Sequence, residues 1–253
     1  MKNNHEIFEC SPCINGRNTI RFVYGVIFMG KILVIEGTDC SGKTTQYEKL
    51  CERMKKEGVS FATDSFPDYA SESSFLVREY LAGKFGTNPA DVDGHTASVF
   101  YGVDRYHSYM TKEWGRVYRE GGNVLFARYI TANLLHQSCK LKTEEEKEQF
   151  IQWLYDFEVG TLKIPKEDHV ILLKVPFEKI KELKAKRGKT SSGAKDIHEE
   201  DEEYLKAAYD TSIWMAERLG WTVIECVDEK GDLRSIEDIH EEVYQVAKGV
   251  FGI

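Results

Sequence analysis

The stretch Gly37-Thr38-Asp39-Cys40-Ser41-Gly42-Lys43-Thr44 constrains this chain more than any other, because it has the spacing of a phosphate-binding loop. Its surroundings agree with that reading. Lys31-Ile32-Leu33-Val34-Ile35-Glu36 reads as a short buried strand before it, and Tyr47, Leu50, Cys51 and Met54 recur at helical spacing after it until Gly58 stops the turn. In a strand-loop-helix unit of this kind, successive backbone N–H groups and the helix N-terminus cradle phosphate oxygens. Lys43 then reaches the outer phosphates of a nucleoside triphosphate, and the Thr44 hydroxyl can ligate magnesium. The binding segment runs from Gly37 and Thr38 through Thr44 to the adjacent Thr45.

Further strand-like segments at 58–63, 122–126, 168–175 and 221–227 alternate with helical patterns. That alternation predicts an α/β fold with a five-stranded parallel β-sheet flanked by α-helices. Ile236, Ile239, Val243, Val246 and Val250 predict a C-terminal amphipathic helix. Glu144 to Glu148 read as an acidic first turn after Thr143. With 253 residues, 42% of them apolar, the chain is long enough for one sizeable core. A formal charge of -8 gives no broad basic face for a nucleic-acid backbone. The six cysteines are scattered, and Cys40 lies inside the loop, which fits a reducing cytoplasm. Cys10 and Cys13 form one isolated pair, short of the four ligands of a structural zinc site. The apolar run from Phe22 to Met29 is too short to span a bilayer. Residues 1–28 are expected to be an N-terminal extension, disordered or not native, ahead of a domain at 29–253.

In open parallel sheets, ligands gather beyond the carboxyl ends of the strands. Phe66-Pro67-Asp68-Tyr69 follows the second strand, and Arg128-Tyr129 follows the third. Arg128 is suited to bidentate contact with a second phosphate group. Asn133, His136 and Gln137 share a helical face that either converges on a ligand or faces solvent. Val99 to Glu120 reads as one long helix carrying Tyr101 and Arg105 a turn apart, as a base-binding pair or as ordinary packing. Lys186-Arg187-Gly188-Lys189-Thr190-Ser191-Ser192-Gly193-Ala194-Lys195 is basic and rich in Gly and Ser, and predicts a mobile lid at about 185–200.

The order of these motifs resembles the thymidylate kinase family of P-loop nucleoside monophosphate kinases, from Lys31 to the C-terminus. Ile35-Glu36-Gly37-Thr38-Asp39, Phe66-Pro67-Asp68-Tyr69, Tyr101 with Arg105, Arg128-Tyr129 with Asn133, and Asp196-Ile197-His198-Glu199 carry the resemblance. It implies phosphoryl transfer from ATP to dTMP with Mg2+, in a cytoplasmic homodimer with neither nucleic-acid nor membrane partners. It also implies catalytic roles for Lys43, Asp39, Arg128 and Arg187. Phe66, Tyr69, Tyr101, Arg105, Asn133, His136 and Gln137 would hold the acceptor together with Asp39 and Arg128, and Thr44 and Glu199 would hold the metal. The chain departs from the family pattern at several positions, among them Tyr101, whose hydroxyl is added to the stacking ring, and Lys174, where an acid is frequent. Ala127 stands where an Asp is usual, and His136 replaces an aromatic near the sugar. A kinase for another deoxynucleoside monophosphate or a deoxynucleoside is therefore an alternative. A non-kinase P-loop regulator is a second alternative, although the chain has no Asn-Lys-x-Asp base motif.

Overall fold

The computed structural model describes residues 29–187 and 201–253. The expectations for residues 1–28, with Cys10 and Cys13, and for 188–200, with Lys189, Lys195 and Glu199, lie outside the described residues, as does the side chain of Arg187. Five strands form one parallel sheet: β1 (Ile32–Glu36), β2 (Phe61–Ser65), β3 (Asn123–Ala127), β4 (His169–Lys174) and β5 (Thr222–Glu225), in the order β2-β3-β1-β4-β5. Alternate residues of β1 enter opposite cores. Ile32 and Val34 pack with Val124, Phe126, Val170 and Leu172 on one face, while Leu33 and Ile35 pack with Leu125, Ile171 and Leu173 on the other. Both faces are covered, which is why these strands read as continuous apolar runs.

Helix α1 (Lys43–Lys56) leaves the phosphate loop and packs against α9 (Ile236–Phe251), which buries Ile239, Val243, Ala247 and Phe251 and is capped by the Ser235 hydroxyl. Helix α2 (Phe75–Leu81) lies over α3 (Gly94–Thr111). On the face opposite α9, α5 (Ile130–His136) contacts α8 (Glu202–Leu219). Helix α6 (Glu144–Tyr155) begins at a Thr143–Glu146 capping box and runs into a π-helical segment, Asp156–Thr161.

Three sequence expectations need correction. The single helix over Val99 to Glu120 is α3 followed by α4 (Glu113–Arg119), with extended backbone at Lys112. The chain turns there so that α4 folds back on α3, and a Cβ at Gly115 would lie 1.9 Å from the Tyr109 carbonyl oxygen. β2 starts at Phe61 rather than 58, because Gly58 (φ 72) and Val59 close α1 by donating to Lys55 and Met54 carbonyls. Ala185, Lys186 and Arg187 complete helix α7 (Phe177–Arg187) instead of opening a loop.

Candidate active site

Strand register sets the site. Ile35 pairs with Ala127 and Ala127 with Ser65, so the segments leaving β1, β3 and β2 emerge side by side at the carboxyl edge of the sheet. Gly37 (φ 152) permits the first tight turn, since a Cβ there would lie 2.5 Å from Ser41 Oγ and 2.9 Å from the Leu173 carbonyl oxygen. Cys40 and Gly42 also have positive φ, and α1 opens directly after them. Ser41 Oγ is buried without a hydrogen-bond partner, an orphan donor suited to a phosphate oxygen. Lys43 donates to the Thr38 carbonyl at 2.8 Å and lies 3.9 Å from Asp39. Burial, with help from Arg128, brings its ammonium down to about 8 against the opposing pull of Asp39.

A cavity of about 600 Å³ opens over this loop, lined by Asp39 to Thr45 and bounded by Ser65, Phe66, Pro67, Tyr69, Arg128 and Leu183. Thr44 and Thr45 are exposed. Arg128, itself at φ 65, donates from Nη2 to Asp39 Oδ1 at 2.5 Å. Burial alone would raise the Asp39 carboxyl, but Arg128 and Lys43 outweigh it and hold the group well below its ordinary value. Beneath the loop, Glu36 is 1% exposed and accepts from Thr131 Oγ1 at 2.6 Å.

A second, narrow cavity of about 50 Å³ joins the first and shares Asp39, Phe66, Pro67, Tyr69 and Arg128 with it. Tyr101, Arg105, Asn133, His136 and Gln137 line it together with Tyr204. Asn133 and Gln137 are buried, so their shared face does not look onto solvent. Phe66 belongs equally to the core, edge to face with Trp114 and tilted against Phe126 and Tyr129. Tyr69 is 55% exposed. Asp68 N–H donates to Asp104, and Lys112 bridges Asp64 and Asp68 at 2.9 Å each, tying the Phe66 to Tyr69 turn to the break after α3. Burial, reinforced by Arg128, pushes the His136 imidazole down to about 3, so the ring is neutral.

The model of the thymidylate kinase family matches residues 35–242. The chain belongs to the thymidylate kinase family. Its members are nucleoside monophosphate kinases, and two relatives illustrate the likeness. The thymidylate kinase of Danio rerio is 25% identical over 231 residues, covering 88% of this chain and 92% of the relative. A probable thymidylate kinase of Methanocaldococcus jannaschii is 29% identical over 222 residues, covering 86% and 96%. Among solved structures, the thymidylate kinase of Candida albicans superposes with a TM-score of 0.61 at 17% identity, over 87% of this chain and 92% of that one. The likeness to that structure is one of fold.

In this member of the thymidylate kinase family, the described residues bring together Asp39, Lys43, Arg128 and both cavities. Arg187 ends α7, and Glu199 lies outside the described residues. Reading the sequence did not single out Glu158, which takes Arg105 in a fully buried ion pair. Its signal was faint, a lone acid between Phe157 and Val159. Nor did it single out Tyr204, whose hydroxyl donates to the His136 carbonyl at 2.9 Å from a helix 68 residues away.

Proposed function

We propose that the protein transfers the γ-phosphoryl group of ATP to dTMP, giving ADP and dTDP. The observation that carries this reading is the shared wall between the two cavities. A triphosphate on the loop and a monophosphate in the slot would meet at Asp39 and Arg128. Phosphoryl transfer passes through a loose transition state with charge on the equatorial oxygens, so the protein mainly aligns the two phosphates and supplies positive charge. Lys43 exchanges the Thr38 carbonyl for outer phosphate oxygens. Arg128 has four N–H groups beyond the one on Asp39 with which to hold the acceptor phosphate. Arg187, at the end of α7, is proposed to add charge from the side of the following segment.

Magnesium fits this donor set. The exposed Thr44 hydroxyl and the ionised Asp39 offer few protein ligands, which suits an ion that keeps waters and phosphate oxygens in its shell. Glu199 is the further candidate ligand. When bound, Mg2+ would neutralise charge developing between the outer phosphates. Tyr101 provides a flat ring for the acceptor's base, and Arg105, Asn133 and Gln137 provide polar groups for its edge. His136 and Tyr204 stand where the sugar would lie.

The described cysteines Cys40, Cys51, Cys139 and Cys226 are free, in keeping with a reducing compartment such as the cytoplasm. Among the described residues no helix is long and apolar enough to cross a membrane. Val99, Val103, Tyr106 and Met110 form an exposed apolar stripe along α3, which supports a homodimer through this helix. The test of the activity is ADP release with ATP and Mg2+, comparing dTMP, dUMP, dGMP, dCMP and thymidine with an acceptor-free blank. Preference for dTMP is the expected result. Preference for another acceptor moves the specificity assignment, and acceptor-independent turnover overturns the kinase reading.

A further inference from the structure

The inner wall of the narrow cavity rests on one carboxylate that does not line it. Glu158 is 0% exposed and holds Arg105, itself 1% exposed, in a two-point pair: Arg105 Nε donates to Oε2 at 2.6 Å and Nη2 donates to Oε1. The same Oε1 accepts from Asn133 Nδ2 at 3.3 Å. Glu158 arrives there on the π-helical Asp156–Thr161 segment, a geometry that recurs at functional sites. Gly102 of α3 lies beside this segment: a Cβ there would crowd the Phe157 ring, with Cε1 at 2.8 Å, while meeting Glu158 Cδ at an ordinary contact distance of 3.6 Å.

This arrangement fixes the polarity of the slot. Arg105 gives two N–H groups to Glu158 and one, from Nη1, to the Tyr129 carbonyl at 3.4 Å, so whatever it presents to a ligand is a donor. Asn133 has two acceptors beside its amide nitrogen, Glu158 Oε1 and the Ser98 carbonyl at 3.5 Å. Both neighbours demand N–H, which orients the amide and leaves Oδ1 as the acceptor. A pyrimidine with a 4-oxo group and an N3–H presents the complementary acceptor and donor. A 4-amino pyrimidine presents a donor and a bare ring nitrogen, reversed at both points.

We propose that Glu158 is a positioning residue that sets this donor-acceptor order through Arg105 and Asn133, so that the slot selects a 4-oxo over a 4-amino pyrimidine monophosphate. The inference rests on the reading of this cavity as the acceptor's base site. It makes discrimination, rather than turnover, the property that Glu158 controls.

The test measures kcat and KM for dTMP and dCMP, and KM for ATP, in wild type, Glu158→Gln, Glu158→Asp and Arg105→Ala. Glu158→Gln keeps the shape but replaces one of the two acceptor oxygens with an NH2 group, so Arg105 and Asn133 can no longer both be satisfied as donors. The expected result is a dTMP-to-dCMP ratio of kcat/KM that falls at least about tenfold, carried by KM, with KM for ATP unchanged. Glu158→Asp keeps the charge and should recover part of the ratio. Should Glu158→Gln fail to fold, Glu158→Asp reads the same ratio against wild type, because one methylene less draws the carboxylate back from Arg105 and Asn133, and a lower ratio there supports the proposal. Equal losses for dTMP and dCMP in whichever variants fold overturn it. If Arg105→Ala raises the dTMP KM while Glu158→Gln leaves the ratio intact, only the role of Glu158 is refuted. If Arg105→Ala leaves the dTMP KM untouched, the base-site reading fails and the inference fails with it.

Discussion

Lys43 offers the sharpest solution test. Its ammonium falls from an ordinary 10.5 to about 8, chiefly because it is buried and then because Arg128 lies nearby. That drop corresponds to about 3 kcal/mol of added preference for the neutral amine. With a value of about 8, roughly nine-tenths of the free enzyme carries the proton at pH 7 and roughly one-tenth at pH 9. If the ammonium is the group that grips the outer phosphates, kcat/KM for ATP should fall about tenfold between those two values. Triphosphate binding adds negative charge beside the amine and restores its affinity for a proton. The limb in kcat should therefore lie at higher pH than the limb in kcat/KM. The assay is coupled ADP release at limiting and saturating ATP from pH 6.5 to 9.5, in wild type and in Lys43→Arg. The guanidinium stays charged across the range, so the variant's weaker activity should lose the limb. A flat wild-type profile to pH 9.5, or an identical limb in Lys43→Arg, would refute the reasoning.

Three further expectations follow from the geometry. His136 is depressed from 6.5 to about 3, so below pH 6.5 the unfolded chain takes up a proton that the folded chain refuses. Its stabilising effect is thus fully present above pH 6.5 and is lost as pH falls toward 3; urea unfolding should show wild type losing about 2 kcal/mol more than His136→Gln between pH 7 and 5, and equal losses would discount the group. Gly37→Ala forces a side chain into positive φ and against Ser41 and the Leu173 carbonyl. It should weaken binding of a fluorescent ATP analogue by roughly tenfold or more while leaving the dTMP KM alone, and an unchanged affinity would count against the cradle. Val103→Glu puts a charge in the α3 stripe and should convert a dimer to a monomer by light scattering; a wild type that is monomeric at all concentrations would remove that interface.

Much of the site was legible because its residues sit at places where chain chemistry is visible. The phosphate loop announces itself by glycine spacing, and Arg128 by its position one residue past an apolar strand. The stretch just after α1, by contrast, blurred the start of β2, because Gly58 and Val59 border the apolar run in sequence yet serve to satisfy the helix's last carbonyls. The break at Lys112 was invisible to periodicity, since no proline marks it and the close approach of Gly115 to Tyr109 that accompanies it is a contact between two helices. Glu158 was hidden for the same reason. A buried acid acquires meaning only once its partner is known, and Arg105 lies 53 residues away.

The pairing of β1 with β3 has a consequence for how activity is acquired. Arg128 meets Asp39 across 89 positions, and the Tyr129 N–H meets Glu36 across 93. No local segment contains a working fraction of the site, and loop closure over such distances is slow relative to helix formation. Catalysis can therefore appear only after the central strands have found one another. During refolding, helical signal should return first, and recovery of phosphoryl transfer should report on the late arrival of β3 beside β1.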